Sequence, residues 1–228
     1  MPLGEKTMAI SDRKKREKEQ RRQSIIDAAE KLFFENGYDN VSINDIAKEV
    51  ELNRATIYLY FENKEALCFA VLLRGMRILN KMVKANVKKT LAIQKIYAVG
   101  NTYYAFFQVH PQYFEVYIYF QSGRFKLSKV YDFETSYYKT AVGDVHEILK
   151  LQKEIFDIVH SAIRIESGGK ISSDVDPSYA AILIMSTMDS MLNPSPVLEN
   201  ELIEMNLNKY QNFNMIFIHF INRLLRNK

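Results

Sequence analysis

The stretch from Ser42 to Tyr60 admits few folds. Ser42 precedes an apolar-periodic segment, and Asp45 three residues later forms a capping-box-like pair with it. The buried face of that segment is predicted to be Ile43, Ile46, Ala47 and Val50. Glu51 and Leu52 break the pattern. Asn53 is then placed to cap a further segment running through Ile57 to about Tyr60. Two short helices of about eight residues, joined by a turn of three or four, are what a helix-turn-helix requires, with an ordinary three-helix packing unit as the alternative that periodicity leaves open. In that motif the second helix turns a polar face outward while its inner face, here Ile57 and Phe61, packs on the first.

The flanks read as helix too. Ile25, Ala28, Ala29, Leu32 and Phe33 recur at helical spacing, and Gly37 stands where a left-handed C-terminal cap belongs. Asn63 is placed to cap a longer helix through Leu67, Val71, Met76 and Leu79 toward Lys84. Beyond it come aromatic helices without strand-like alternation. Pro111 suits the first turn of one of them, and Gly143 marks a possible break between Ser122 and Glu166. Loops are expected at Ser167-Gly168-Gly169, Asp176-Pro177 and Asn193-Pro194-Ser195-Pro196. Two helices remain, roughly Ser178 to Leu192 and Glu199 to Leu225. The expected class is all-α, a small N-terminal module followed by a larger helical body, with no internal repeat.

Charge narrows the partners by its location. The formal net charge is only +4. Between Glu5 and Arg22, however, eight basic side chains stand against four acidic ones, and six of the basic ones fall within Arg13 to Arg21. From Arg22 to Leu67 the balance is acidic. Any electrostatic hold on DNA therefore comes from the leading arm and a few placed residues. That arm is either DNA-seeking or a solvated helical extension with interleaved glutamates. A single cysteine, Cys68, excludes a disulfide framework and a cysteine-based metal site, and fits a reducing cytoplasm. The opening MPLGEKTMAI lacks the apolar core of a signal peptide. Ile96 to Phe114 carries no Asp, Glu, Lys or Arg, yet Gln108, His110, Pro111 and Gln112 argue against a membrane span. The histidines His110, His146, His160 and His219 are scattered, and no nucleophile elbow, phosphate loop or dinucleotide fingerprint occurs. No metal, cofactor or enzymatic activity is expected.

Arg54, Ala55 and Thr56 head the outward helix, where side chains reach deepest into a major groove, and Arg54 and Thr56 are suited to reading bases. The Tyr58 and Tyr60 hydroxyls and the Lys64 ammonium are suited to phosphates, which fix register. The run Val41-Ser42-Ile43-Asn44-Asp45-Ile46-Ala47-Lys48-Glu49-Val50, followed by Asn53-Arg54-Ala55-Thr56-Ile57-Tyr58-Leu59-Tyr60-Phe61-Glu62-Asn63-Lys64-Glu65-Ala66-Leu67, resembles the DNA-binding signature of the TetR family of transcriptional repressors. Ala28-Ala29-Glu30-Lys31-Leu32-Phe33 and Asn36-Gly37-Tyr38 resemble that family's first helix and its exit. The likeness is close from about Ser24 to Leu67; the rest agrees in helical layout and in fragments such as His110-Pro111-Gln112-Tyr113-Phe114.

The resemblance implies a three-helix DNA-binding domain, a larger helical ligand-binding and dimerisation domain, and a homodimer formed through the last two helices. The boundaries that follow are a basic arm over 1–20, a DNA-binding domain over 21–66 and an effector-binding and dimerisation domain over 67–228. It makes Ser42 a phosphate-contacting cap, Tyr58, Tyr60 and Lys64 backbone contacts, and Asn53 to Thr56 the base-reading edge. The family usually has glycine in the turn where this chain has Glu51. If that position needs a positive φ, a non-glycine costs on the order of 1 kcal/mol.

Tyrosine and phenylalanine number 14 each and crowd the middle of the chain. Phenols offer flat apolar faces and orienting hydroxyls, as an apolar effector pocket requires. Tyr103, Phe107, Tyr117, Phe120, Tyr137 and Met188 are the candidate ligand contacts, with ordinary core as the alternative for each. Asp189 is an acid within an apolar helix. Ala181, Ile184, Met188 and Met191, then Leu202, Met205, Phe213, Ile216, Phe220 and Leu224, form a wide stripe suited either to pairing with a second copy or to burial within one subunit. The expected function is a ligand-responsive repressor that binds a palindromic double-stranded operator and is released by a hydrophobic or aromatic small molecule. The alternative is a regulator of the same fold controlled by a protein partner or by no small effector.

Overall fold

Capping and apolar spacing account for each element of the computed structural model, which describes residues 3–91, 93–122, 141–166, 176–206 and 219. Among them every regular element is an α-helix. Helix α1, Leu3–Asn36, buries Ile25, Ile26, Ala28, Ala29 and Phe33 and stops where Gly37 takes a φ of +77°. The Gly37 N–H donates to the Phe33 carbonyl at 2.9 Å, the closure expected of a left-handed cap. Helix α2, Ile43–Glu49, starts with a complete capping box between Ser42 and Asp45. Helix α3, Arg54–Tyr58, is capped by Asn53, and α4, Lys64–Val87, by Asn63, whose Oδ1 accepts from the Ala66 N–H at 2.8 Å. Then come α5, Ile93–Val109, and α6, Pro111–Gln121, opened by Pro111 as expected. Helices α7, Ala141–Glu166, α8, Pro177–Leu192, and α9, Pro196–Glu204, complete the described chain.

The chain divides into two compact units, Met1–Gly75 with Gln112–Ile148, and Met76–Pro111 with Leu149–Lys228. In the first, the run Ala66 to Leu73 of α4 is buried on all sides, as for a helix enclosed by its neighbours. Its ring is completed by α6: Phe120 meets Phe69 edge-on at 5.9 Å, and Tyr113 meets Phe34 at 5.0 Å. Polar links run beside these rings. Tyr113 Oη donates to Glu30 at 2.8 Å, Tyr119 Oη donates to Asp39 at 2.6 Å, and Arg22 pairs with Asp144 at 2.8 Å. Helix α1 and the connection that follows it are thus bonded to α6 and to the start of α7.

In the second unit, Asn80 is buried and donates through Nδ2 to the Leu151 carbonyl at 3.2 Å and to Glu154 at 3.1 Å. Lys84 adds an ion pair to Glu154 at 2.8 Å. Asn86 donates to the Thr102 hydroxyl at 2.8 Å, which in turn donates to the Ala98 carbonyl. Ile155, Val159, Ala162 and Ile163 of α7 and Ala180, Ala181, Ile184, Met188 and Leu192 of α8 are buried.

Three expectations change. Gly143 does not interrupt a helix; it lies inside α7, exposed, where the missing side chain removes no packing. The last described helix starts at Pro196 rather than Glu199 and ends at Glu204. The Met205 N–H closes it onto Glu201 and Ile203, and Asn206 follows at a φ of +54°. Ala181, Ile184 and Met188 fill their own core, while Tyr179, Ile182 and Leu183 of α8 and Val197, Leu198, Ile203 and Met205 in or beside α9 are exposed. Phe213, Ile216, Phe220 and Leu224 lie outside the described residues. Among the described residues no helix is long and apolar enough to cross a membrane.

Candidate nucleic-acid interface

Helix α3 is held from beneath and open above. Ile57 and Phe61 are buried, while Asn53, Arg54, Ala55 and Tyr58 are exposed and Thr56 and Tyr60 are half-buried. The turn before it is tight because Glu51 takes a φ of +53° and the Leu52 N–H donates back to Ala47 at 2.9 Å. A left-handed position is therefore occupied by a glutamate here, which meets the condition under which the resemblance made Glu51 a costly residue. Asn53 Oδ1 accepts from the Thr56 N–H at 2.8 Å and from its hydroxyl at 2.9 Å. Arg54 lies back along the helix, donating to Tyr58 Oη through Nη2 at 2.8 Å and Nε at 3.2 Å. Arginine and tyrosine thus form one exposed pair with Ala55 beside it.

Ser42 and Lys64 have work inside the chain. The Ser42 hydroxyl donates to Asp45 Oδ2 at 2.6 Å and accepts from the Asp45 N–H, and the Ser42 N–H donates to the same carboxylate at 2.9 Å. Those bonds, the hydroxyl's first, hold the Asp45 carboxyl below its ordinary range. Lys64 Nζ donates to the carbonyls of Tyr38 and Val41, both at 2.9 Å, and sits 4.1 Å from the Tyr38 ring centroid. It fastens the α1–α2 connection and has one further N–H and its charge to offer.

The candidate ligand contacts fall in both units. Tyr117 and Phe120 belong to the first, Tyr103, Phe107 and Met188 to the second, and Tyr137 lies outside the described residues. All five described side chains are buried. Burial, with the charge of Asp189 adding to it, pushes the Tyr103 phenol far up, so its hydroxyl is a neutral donor at any ordinary pH.

The profile of bacterial regulatory proteins, tetR family, matches residues 25–71. Over those residues the chain is similar to that family. An HTH-type transcriptional regulator of Staphylococcus aureus (strain USA300) is 39% identical over 64 residues, 28% of this chain. The match spans only 35% of that relative's length. Fold similarity reaches further. FadR of Bacillus subtilis, solved with stearoyl-CoA, aligns with a TM-score of 0.56 over 89% of this chain and 97% of its own at 20% identity. AibR, solved with isovaleryl coenzyme A and operator DNA, aligns at 0.55 over 90% and 98% at 19% identity. At such identities the likeness is one of fold: a helix-turn-helix followed by further helices.

Within the matched residues, α2 and α3 with their caps carry Ser42, Asn53, Arg54, Ala55, Thr56 and Tyr58 together, with Tyr60 and Lys64 following on. Beside them lies part of the basic segment that the sequence left open between a DNA-seeking arm and a solvated helical extension. A surface cleft of about 370 Å³ is lined by Tyr60 together with Lys14, Glu17, Lys18 and Arg21 of α1. The spacing of those α1 residues, in phase with buried Ile25, was the available signal.

Proposed function

We propose that this chain is a ligand-responsive transcriptional repressor that binds a palindromic operator as a homodimer and is released by a hydrophobic or aromatic small molecule. The observation that carries the DNA half is α3, whose Ile57 is buried while Arg54, Ala55 and Tyr58 stand exposed at one end. Asn53 to Thr56 form the base-reading edge. Ser42, Tyr58, Tyr60 and Lys64 grip phosphates, Ser42 by exchanging Asp45 for a phosphate as hydroxyl acceptor. The exposed apolar side chains of α8 and α9 support pairing with a second copy. The ligand half rests on the aromatic side chains Tyr103, Phe107, Tyr117, Phe120 and Tyr137, with Met188, and on two fold neighbours seen with acyl-coenzyme A thioesters. The acyl chain is one hydrophobic group of the expected kind. The protein acts on DNA in the cytoplasm.

The effector must bind the DNA-released state better than the DNA-bound one, so operator and effector weaken each other's binding equally. The test is operator selection from random duplexes, followed by titration of the complex with acyl-coenzyme A thioesters and aromatic compounds. A symmetric selected site and release by one such compound are expected. An asymmetric half-site bound by a monomer overturns the symmetric-dimer reading. A site whose affinity no hydrophobic compound changes overturns the ligand response.

A further inference from the structure

Helix α1 starts well before its core stripe begins. Continuing the stripe of buried Ile25 toward the N-terminus gives Arg21, Lys18 and Lys14, at spacings of four, three and four, which keep all of them on one helix face. The face that packs into the helix-turn-helix core at Ile25 is therefore cationic one turn earlier. The structure brings that stripe to Tyr60, at the exit of α3, and the cleft of about 370 Å³ is lined by Lys14, Glu17, Lys18, Arg21 and Tyr60. A neighbouring cleft of about 320 Å³ runs on along Gln20, Arg21 and Ser24 to Val50 and Leu52 of the turn.

The acids of this segment do not cancel the stripe. Glu17 is bonded by Arg13 at 2.7 Å, and Arg13, with Arg21 and Lys14 nearby, holds its carboxyl below the ordinary range. Glu19 lies on another face and accepts from Gln23 at 2.7 Å. The base of the segment is fixed in direction by Arg22, which pairs with Asp144 at 2.8 Å and covers the Phe61 ring at 5.0 Å.

We infer that the Lys14–Arg21 segment of α1 is a second DNA-binding element, in which Lys14, Lys18 and Arg21, with the Tyr60 hydroxyl, hold backbone phosphates beside those gripped by α2 and α3. The chemistry is that of a phosphodiester: flexible ammonium groups and a guanidinium neutralise charge without choosing a base. The inference rests on the DNA-binding reading and adds a contact surface to it.

The test uses the full chain and a random-sequence 30-base-pair duplex, with affinity followed by fluorescence anisotropy across a KCl series. Each phosphate contact contributes about 0.9 to the slope of log affinity against log salt. The variant Lys14→Gln with Lys18→Gln and Arg21→Gln is expected to lose about two to three units of slope. At 0.1 M salt it should bind about ten- to a hundredfold more weakly. The control Lys15→Gln with Arg16→Gln removes charge from other faces and is expected to change the slope by less than one unit. Circular dichroism and melting temperature of both variants should match the unsubstituted protein, since glutamine is a good helix former. An unchanged slope in the triple variant overturns the inference while leaving the DNA-binding reading intact. So does a control that loses as much per charge, because bulk charge then explains the effect. Failure of the unsubstituted protein to bind any duplex overturns both.

Discussion

Glu51 occupies a backbone position that a Cβ disfavours. Its φ of +53° lies in the left-handed region, which costs a non-glycine residue roughly 1 kcal/mol. Glu51→Gly should therefore leave the fold intact and raise stability by at most about 1 kcal/mol, read as a shift in urea midpoint. A lower midpoint would show that the glutamate side chain contributes more than its backbone costs. Arg54 poses a different question, because its guanidinium is already engaged by Tyr58 Oη. Arg54→Ala should relax sequence preference at one base position by about 1–3 kcal/mol if it pairs with guanine. Tyr58→Phe should weaken binding on every sequence, since it removes a hydroxyl rather than a base contact. Equal losses for Arg54→Ala on selected and random duplexes would take Arg54 out of the reading role.

The elements meet at positions with little room. A Cβ at Gly75 of α4 would stand 2.6 Å from Cδ1 and 2.8 Å from Cγ of Tyr113, near the root of that side chain rather than its flexible end. Gly75→Ala gains about 1 kcal/mol in helix propensity but forces an overpacked contact that costs about 1–3 kcal/mol. The net expectation is a loss of up to about 2 kcal/mol, accompanied by a disturbed Tyr113–Glu30 bond. In a Tyr113→Leu background the same substitution should be harmless or stabilising; an equal loss in both backgrounds would place the strain elsewhere. The clasp between α4 and α7 carries a pH dependence. The Lys84 hydrogen bond, then its charge and the Asn80 bond, hold the Glu154 carboxyl below the ordinary range. A lowered folded value means that its contribution is complete above the unfolded carboxylate range, near pH 4, and is lost as pH falls through the folded value. Glu154→Gln should flatten the acid side of the stability profile and leave its alkaline side unchanged.

For the whole molecule, the proposed dimer makes the sharpest demand. A monomer reads one half-site, so two copies must present α3 to grooves about one turn, roughly 10 base pairs, or a close multiple apart. Tyr179 is 71% exposed and Ile182 52%, which is costly for a lone α8 and natural for one that pairs. Ile182→Glu with Leu183→Glu should give a monomer by sedimentation that retains half-site contact but binds the full palindrome far more weakly. Persistence of the dimer would move the interface off this face of α8.

Local chemistry determined much of this protein, and could do so from sequence because it acts over one helical turn. Ser42 with Asp45, Asn53, Asn63, Gly37 and Pro111 each satisfy or remove a backbone group within a few positions of themselves, so their roles were legible before any fold was known. The same is true of Ile57 and Phe61 as anchors, which periodicity alone assigns. Partners distant in the chain were not legible. Nothing in the sequence says that Lys64 reaches the carbonyls of Tyr38 and Val41, that Tyr113 bonds Glu30, or that Lys14 and Lys18 line a cleft with Tyr60. Helical period also marks a stripe as apolar without saying what covers it. For that reason Ala181, Ile184 and Met188 read first as interface, with core as the alternative, and only packing in three dimensions placed them in the core and left Tyr179, Ile182 and Leu183 outside.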